Sequence, residues 1–172
     1  EEDLMKFQDY LISALYTLNP PRRLEYANML IIEYAKLQST PIKERKERNY
    51  LVIKNNNLYF LFNNYKTVKS YGIQKIEIKN KLKEIIKDWI KINKSNYFLI
   101  GKNKKELSSN NLGKMIIRIF SNEKQPNIGL NILRHSYISS LFNVIENIDK
   151  RNKVSSLMAH SVIMQNQYIK KD

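Results

Sequence analysis

Residues 49–62 read Asn-Tyr-Leu-Val-Ile-Lys-Asn-Asn-Asn-Leu-Tyr-Phe-Leu-Phe, and the reading of this stretch decides the fold class. Two runs rich in aliphatic, β-branched and aromatic residues flank three asparagines, a residue that tolerates the left-handed backbone of a tight turn. The pattern predicts a strand, a turn and a second strand. A third strand is expected over Ile73–Ile78, after the connection Asn63-Asn-Tyr-Lys-Thr-Val-Lys-Ser-Tyr-Gly72, completing a small antiparallel sheet.

On either side of this sheet the apolar period changes to that of a helix. Leu4, Phe7, Leu11, Ile12, Leu15 and Leu18 recur at spacings of three and four, predicting an amphipathic helix from Asp3 to Leu18 that Asn19-Pro20-Pro21 ends. A second helix is expected just after the prolines, through Arg22, Glu25, Tyr26, Met29 and Leu30, and the charged stretch Lys43–Arg48 reads as a solvated connection. Beyond the sheet, Lys81–Ile92 carries Leu82, Ile85, Ile86, Trp89 and Ile90 on one face, and Ser109–Phe120 carries Leu112, Met115, Ile116 and Ile119. Helices over Ile128–Phe142 and roughly Ile145–Ala159, and a short segment through Tyr168, complete the expected order. The expected class is α+β, mainly α, with a three-stranded antiparallel sheet inserted after the second helix.

The 172 residues suit one domain, and 42% hydrophobic residues suffice for a core. Thirty Lys and Arg against 16 Asp and Glu give a net charge of +14, which points to a polyanionic partner, nucleic acid first. The absence of cysteine excludes disulfide scaffolds, thiolate metal sites and cysteine nucleophiles; two histidines, His135 and His160, are too few for a histidine-rich metal centre. No apolar run reaches the roughly 20 residues of a membrane span, and Glu-Glu-Asp-Leu does not begin a secretion signal. The 21 Asn, 23 Ile and 23 Lys suggest an AT-rich coding sequence, which inflates lysine but not arginine. Each of the seven arginines therefore carries more weight than each lysine.

The reactive groups concentrate near the end, in Leu133-Arg-His-Ser-Tyr137, Leu157-Met-Ala-His-Ser161 and Tyr168. A metal-free site acting on a phosphate needs fixed cations for the non-bridging oxygens, a proton donor for the leaving oxygen and a nucleophile. Arg, Lys, His and Tyr can fill those roles.

The order Arg22, Lys66, Arg134-His135, His160, Tyr168 resembles the catalytic domain of tyrosine recombinases, or phage-type integrases, over nearly the whole chain. Asn19-Pro-Pro-Arg-Arg-Leu-Glu-Tyr26 is similar to the family's first box, an arginine with an acid three residues later; Arg22 with Glu25 fits that spacing, and Arg23 is the alternative. Lys66 resembles the hairpin lysine, with Lys69 as the fallback. Leu133–Ser139 resembles the second arginine box, and Leu157–Ser161 the Leu-Gly-His-Ser box before the nucleophilic tyrosine. Three departures stand out. Asn131 occupies a position where the family often has His or Lys, Tyr168 follows His160 by eight residues where nine is frequent, and Ala159 replaces the glycine, a small change. The Pro-Pro-Arg-Arg and Tyr-Lys-Thr variants look most like integrases of viruses and mobile elements with eukaryotic hosts.

The resemblance implies site-specific recombination of double-stranded DNA without metal or other cofactor. Tyr168 would be the nucleophile, Arg22 and Arg134 the phosphate clamp, Lys66 the general acid and His160 a hydrogen-bond donor to the same phosphate, with His135 in support. Taken singly, Arg22 could instead pair with Glu25 or Glu33 for purely structural reasons. Lys43, Arg45, Lys46, Arg48, Lys102, Lys104, Lys105, Lys114 and Arg118 could meet backbone phosphates or form a solvated surface. A type IB topoisomerase and a catalytically inactive DNA-binding relative are the competing functions. The resemblance further implies that residues 1–172 form one catalytic domain, with the family's N-terminal core-binding domain absent from this chain. A monomer is expected for this fragment and a tetramer on DNA for the full-length protein, acting inside the cell wherever the target DNA lies.

Overall fold

The computed structural model describes residues 2–142 and 148–159. Helix α1 (Glu2–Thr17) leads into an irregular loop, then strand β1 (Leu30–Glu33) and two short helices, α2 (Tyr34–Ser39) and α3 (Ile42–Glu47). Strands β2 (Tyr50–Lys54) and β3 (Asn57–Phe62), the one-turn helix α4 (Val68–Tyr71) and strand β4 (Gln74–Glu77) follow. The rest is helical: α5 (Asn80–Ile92), α6 (Ser109–Phe120), α7 (Leu130–Phe142) and α8 (Ile148–Leu157).

The sheet has four strands in the order β1-β2-β3-β4 and is mixed, which corrects the expected three-stranded antiparallel sheet. β2, β3 and β4 are antiparallel, with Tyr50 opposite Leu61 and Tyr59 opposite Glu77, as the strand-turn-strand reading requires. Asn55 sits in the turn at φ +54°, the left-handed conformation anticipated for the asparagine run. The added strand comes from the segment expected as the second helix. Residues 22–27 bend instead of coiling, Asn28 turns left-handed at φ +58°, and Leu30–Glu33 then runs parallel to Tyr50–Ile53. Non-local hydrogen bonds decide this: Ile31 N–H donates to Asn96 O at 2.8 Å and Leu30 N–H to Asn49 O at 3.1 Å. The Lys43–Arg48 connection contains most of a short helix begun by Pro41 rather than being fully irregular.

Alternation along the strands gives the sheet two buried faces. Leu51, Leu58, Phe60 and Phe62 enter the main core with Leu11, Ile12 and Leu15 of α1, Ile86 and Trp89 of α5, and Leu112 and Ile116 of α6. Val52 and Tyr59, with Ile32 and Leu37, form a smaller cluster roofed by α2. Two large polar side chains in this core are paired, as desolvation demands. The Gln8 amide exchanges two hydrogen bonds with the backbone of Ile100, at 2.9 and 2.7 Å, and Trp89 Nε1 donates to Phe98 O at 2.7 Å.

Candidate active site

Two prolines and an edge-on tyrosine pair shape the loop that carries the first arginines. Tyr16 stacks edge-to-face with Tyr26 and its hydroxyl donates to Arg23 O at 2.8 Å, so α1 holds the loop's backbone directly. Arg22 is only 1% exposed. Its guanidinium lies 3.9 Å from the Phe62 ring centroid, and Nη1 donates to Gln74 Oε1 at 2.6 Å and to Leu157 O at 2.8 Å. Glu25 Oε2 stands 3.9 Å from Nε, an ion pair too long for a hydrogen bond, and Nε and Nη2 have no hydrogen-bond partner among the described residues. Burial pushes the Arg22 pKa down, while Glu25, Tyr26 and Tyr65 oppose that shift. Guanidinium is basic enough to remain charged. Arg22 is thus a buried cation with two of its three guanidinium nitrogens unspent among the described residues.

Arg134 is buried to the same degree on α7. Its Nη1 donates to Pro21 O at 2.7 Å, and both Nη atoms approach Met158 O at 3.4 and 3.5 Å. Distant in sequence, the two arginines meet the same turn at the end of α8. Helices leave their last carbonyls without intrahelical partners. Here four successive carbonyls accept from side chains of other elements: Ser156 from Gln74 Nε2 at 2.8 Å, Leu157 from Arg22, Met158 from Arg134, and Ala159 from Thr67 Oγ1 at 3.0 Å and Arg23 Nη1 at 3.4 Å. Ala159 closes the turn at φ +49°, a left-handed position that favours glycine. The replacement of glycine by alanine therefore carries a backbone cost that the sequence reading did not assign.

Lys66 is exposed on the loop between β3 and α4 and lines a cleft of about 670 Å³. Arg23, Asn131, Arg48, Asn49 and Asn64 share that lining. Arg22 lines a different cleft, of about 560 Å³, with Lys75, Lys79, Lys81 and Lys153. The structure thus groups Arg23, Lys66 and Asn131, and separately joins Arg22, Arg23 and Arg134 through the α8 turn. Lys69 is exposed on α4 and lines neither cleft, and His135 is half-buried beside Arg134. His160 and Tyr168 lie outside the described residues. Gln74, Thr67 and Asn49 escaped the sequence reading; only the adjacency of Thr67 to Lys66 offered a signal.

Of the basic residues considered for DNA, Arg118 is committed to Asp9 through two hydrogen bonds, at 2.8 and 2.6 Å, which raise its pKa. Lys43, Lys46, Lys102, Lys104 and Lys105 are exposed. Among the described residues no cluster of three or more His, Asp or Glu could hold a metal ion, and no helix is long and apolar enough to cross a membrane.

No family model and no curated protein matches the sequence. Solved structures do match in fold. The chain is similar to XerA recombinase, with a TM-score of 0.56 and 11% identity over 100% of this chain and 60% of that one. It is also similar to the Tn1549 transposon integrase in complex with circular intermediate DNA, with a TM-score of 0.57 and 14% identity over 100% of this chain and 62% of that one. At such identities the likeness is one of fold: the chain is folded like the tyrosine recombinases and integrases, and spans about 60% of the length of these structures.

Proposed function

We propose that this chain is the catalytic domain of a site-specific DNA recombinase or integrase that breaks and rejoins strands through a phosphotyrosyl intermediate. One observation carries the reading: Arg22 and Arg134, both buried, converge on the turn Leu157–Ala159 that leads into His160, with two donor atoms of Arg22 unspent. The recombinase fold and the net charge of +14 support it.

In this mechanism the Tyr168 oxygen attacks the scissile phosphorus as the bond to the 5′ oxygen breaks. The phenol proton passes to solvent water, the 5′ oxygen receives a proton from the Lys66 ammonium, and the strand is held as a 3′-phosphotyrosyl ester. Attack by a 5′-hydroxyl reverses each step and rejoins DNA. Arg22 and Arg134 offset charge on the non-bridging oxygens of the pentacoordinate transition state, and planar forks suit that task better than ammonium groups. His160 donates to the same phosphate, His135 supports it, and Arg23 and Asn131 border the strand beside Lys66. No metal is required, because cations and proton donor are all side chains.

The test is a trap. Nicked duplexes of varied sequence, from which the cleaved fragment diffuses away, are incubated with the chain and with Tyr168→Phe, and adducts are resolved on denaturing gels and mapped. An adduct at Tyr168, absent from Tyr168→Phe, is the expected result. Bound DNA without adduct in the unmodified chain would identify an inactive DNA-binding relative instead. Relaxation of supercoiled plasmid without exchange between duplexes would identify a type IB topoisomerase.

A further inference from the structure

Asn49 precedes β2 and is 9% exposed, and its amide is fully used. Nδ2 donates to Glu25 O at 3.1 Å and to Asn64 O at 2.9 Å; Oδ1 accepts from the backbone N–H groups of Asn63 at 3.0 Å and Asn64 at 2.9 Å. A primary amide offers two donor hydrogens and two acceptor lone pairs, and all four are spent. Two carbonyl partners on one side and two N–H partners on the other allow one amide orientation only.

These four bonds join two loops. Glu25 belongs to the arginine loop, three residues after Arg22, and Asn64 stands two residues before Lys66. Asn49, Glu25, Arg23, Asn64 and Lys66 line the same cleft. The side chains of the same two loop residues reach the other way, Asn63 Nδ2 donating to Arg45 O at 2.7 Å and Arg48 O at 3.0 Å and Asn64 Nδ2 to Glu47 O at 2.8 Å, while beyond Lys66 the Thr67 hydroxyl donates to Ala159 O at 3.0 Å. The asparagine side chains anchor the start of the loop to α3, whereas Asn49 ties it to the backbone of the arginine loop, beside the contact of the Tyr65 ring with the Arg22 guanidinium at 5.1 Å. Aspartate, of equal size, would aim a carboxylate oxygen at two carbonyls, and alanine would leave four backbone groups without partners.

We propose that Asn49 is a positioning residue for strand cleavage, which holds the Lys66 ammonium at the leaving-oxygen side of the phosphate. The inference rests on the reading of Lys66 as the general acid, and its test separates the two. With sulfur in place of the bridging 5′ oxygen, the P–S bond breaks and a thiolate leaves; a thiol of pKa about 8.5 needs no proton to depart. A defect in proton delivery then disappears, whereas a defect in the clamp, the nucleophile or the fold persists.

Single-turnover adduct formation on the oxygen and sulfur substrates would be measured for the unmodified chain, Lys66→Ala, Asn49→Asp and Arg134→Ala, with DNA affinity and melting recorded for each. Asn49→Asp is expected to cleave the oxygen substrate on the order of a hundredfold more slowly, as loss of a general acid does, and the sulfur substrate within roughly tenfold of the unmodified chain. Its DNA affinity is expected to be unchanged. Failure of sulfur to restore Lys66→Ala would refute Lys66 as the acid. Restoration of Lys66→Ala but not of Asn49→Asp, or unimpaired cleavage of the oxygen substrate by Asn49→Asp, would overturn the role of Asn49 alone. If Asn49→Asp does not fold, Asn49→Ser, which keeps one donor and one acceptor, takes its place under the same criteria. Unfolding of both would make Asn49 a residue of the fold and overturn the proposal.

Discussion

The arginine loop and the α8 turn are both irregular segments beside the candidate site, and they are fastened in opposite ways. Around the arginine loop the donors to backbone are mostly neutral: the Tyr16 hydroxyl takes Arg23 O and the Asn49 amide takes Glu25 O, with a dense aromatic core beneath. At the α8 turn three of the five side chains that satisfy the carbonyls are arginines, two of them proposed to bind phosphate. The groups that fasten the first region take no direct part in the proposed phosphoryl transfer. In the second, the groups that would perform catalysis also hold the segment leading to His160 and Tyr168, so stability and activity share the same hydrogen bonds.

Arg134→Ala should show the largest effect. It removes one fork of the clamp, for a loss of about a hundredfold or more in adduct formation. It also strips donors from the carbonyls of Pro21 and Met158, costing on the order of 3 kcal/mol in urea unfolding. Loss of activity with unchanged stability would break the comparison, leaving Arg134 a clamp but not a fastener.

Gln74→Ala isolates fastening from chemistry, since Gln74 has no proposed role in proton or phosphoryl transfer. It bonds Arg22 and Ser156 O at once, and its removal should cost about 1–2 kcal/mol. Amide exchange at Met158 and Ala159 should accelerate while Asn63 and Asn64 keep their protection. Equal acceleration in both places would mean the two regions open together.

The arginine-loop side carries a pH signature. Burial raises the phenol pKa values of Tyr16 and Tyr26 above the ordinary value of about 10. Because the folded values are the higher ones, the stability they contribute is complete below that ordinary value and is lost as pH rises through the folded values. Melting temperature should therefore fall steeply in strongly alkaline buffer. Tyr16→Phe should soften that fall and cost about 1 kcal/mol at neutral pH through the lost bond to Arg23 O. The smallest effect is a gain: Ala159→Gly relieves the φ of +49° and should stabilise the chain by roughly 0.5–1 kcal/mol, read as a rise in the urea midpoint.

Local pattern was enough for the elements whose apolar residues repeat over several turns or alternate along a hairpin. β2, β3, α5 and α6 lie within a residue or two of their expected limits, and α6 at them. Leu30–Glu33 defeated the same reading because four residues hold too little periodicity to separate strand from helix, and the partners that decide, Tyr50–Ile53 and Asn96, are remote in sequence. The ordered boxes pointed to Arg22, Arg23, Lys66 and Arg134, whereas no local pattern marks Gln74 or Asn49. Their importance lies in backbone atoms they reach across the fold.

By itself the sequence determined a basic, cysteine-free, mainly helical chain with one hairpin, and an ordered set of residues suited to phosphate chemistry. Those properties follow from side-chain type and short spacing. Only the tertiary structure decided that a fourth strand joins the sheet, that Arg22 and Arg134 meet one turn, and that Arg23 rather than Arg22 shares the cleft of Lys66. Each of these depends on bonds between segments far apart in the chain, whose geometry exists only once the core has closed around them.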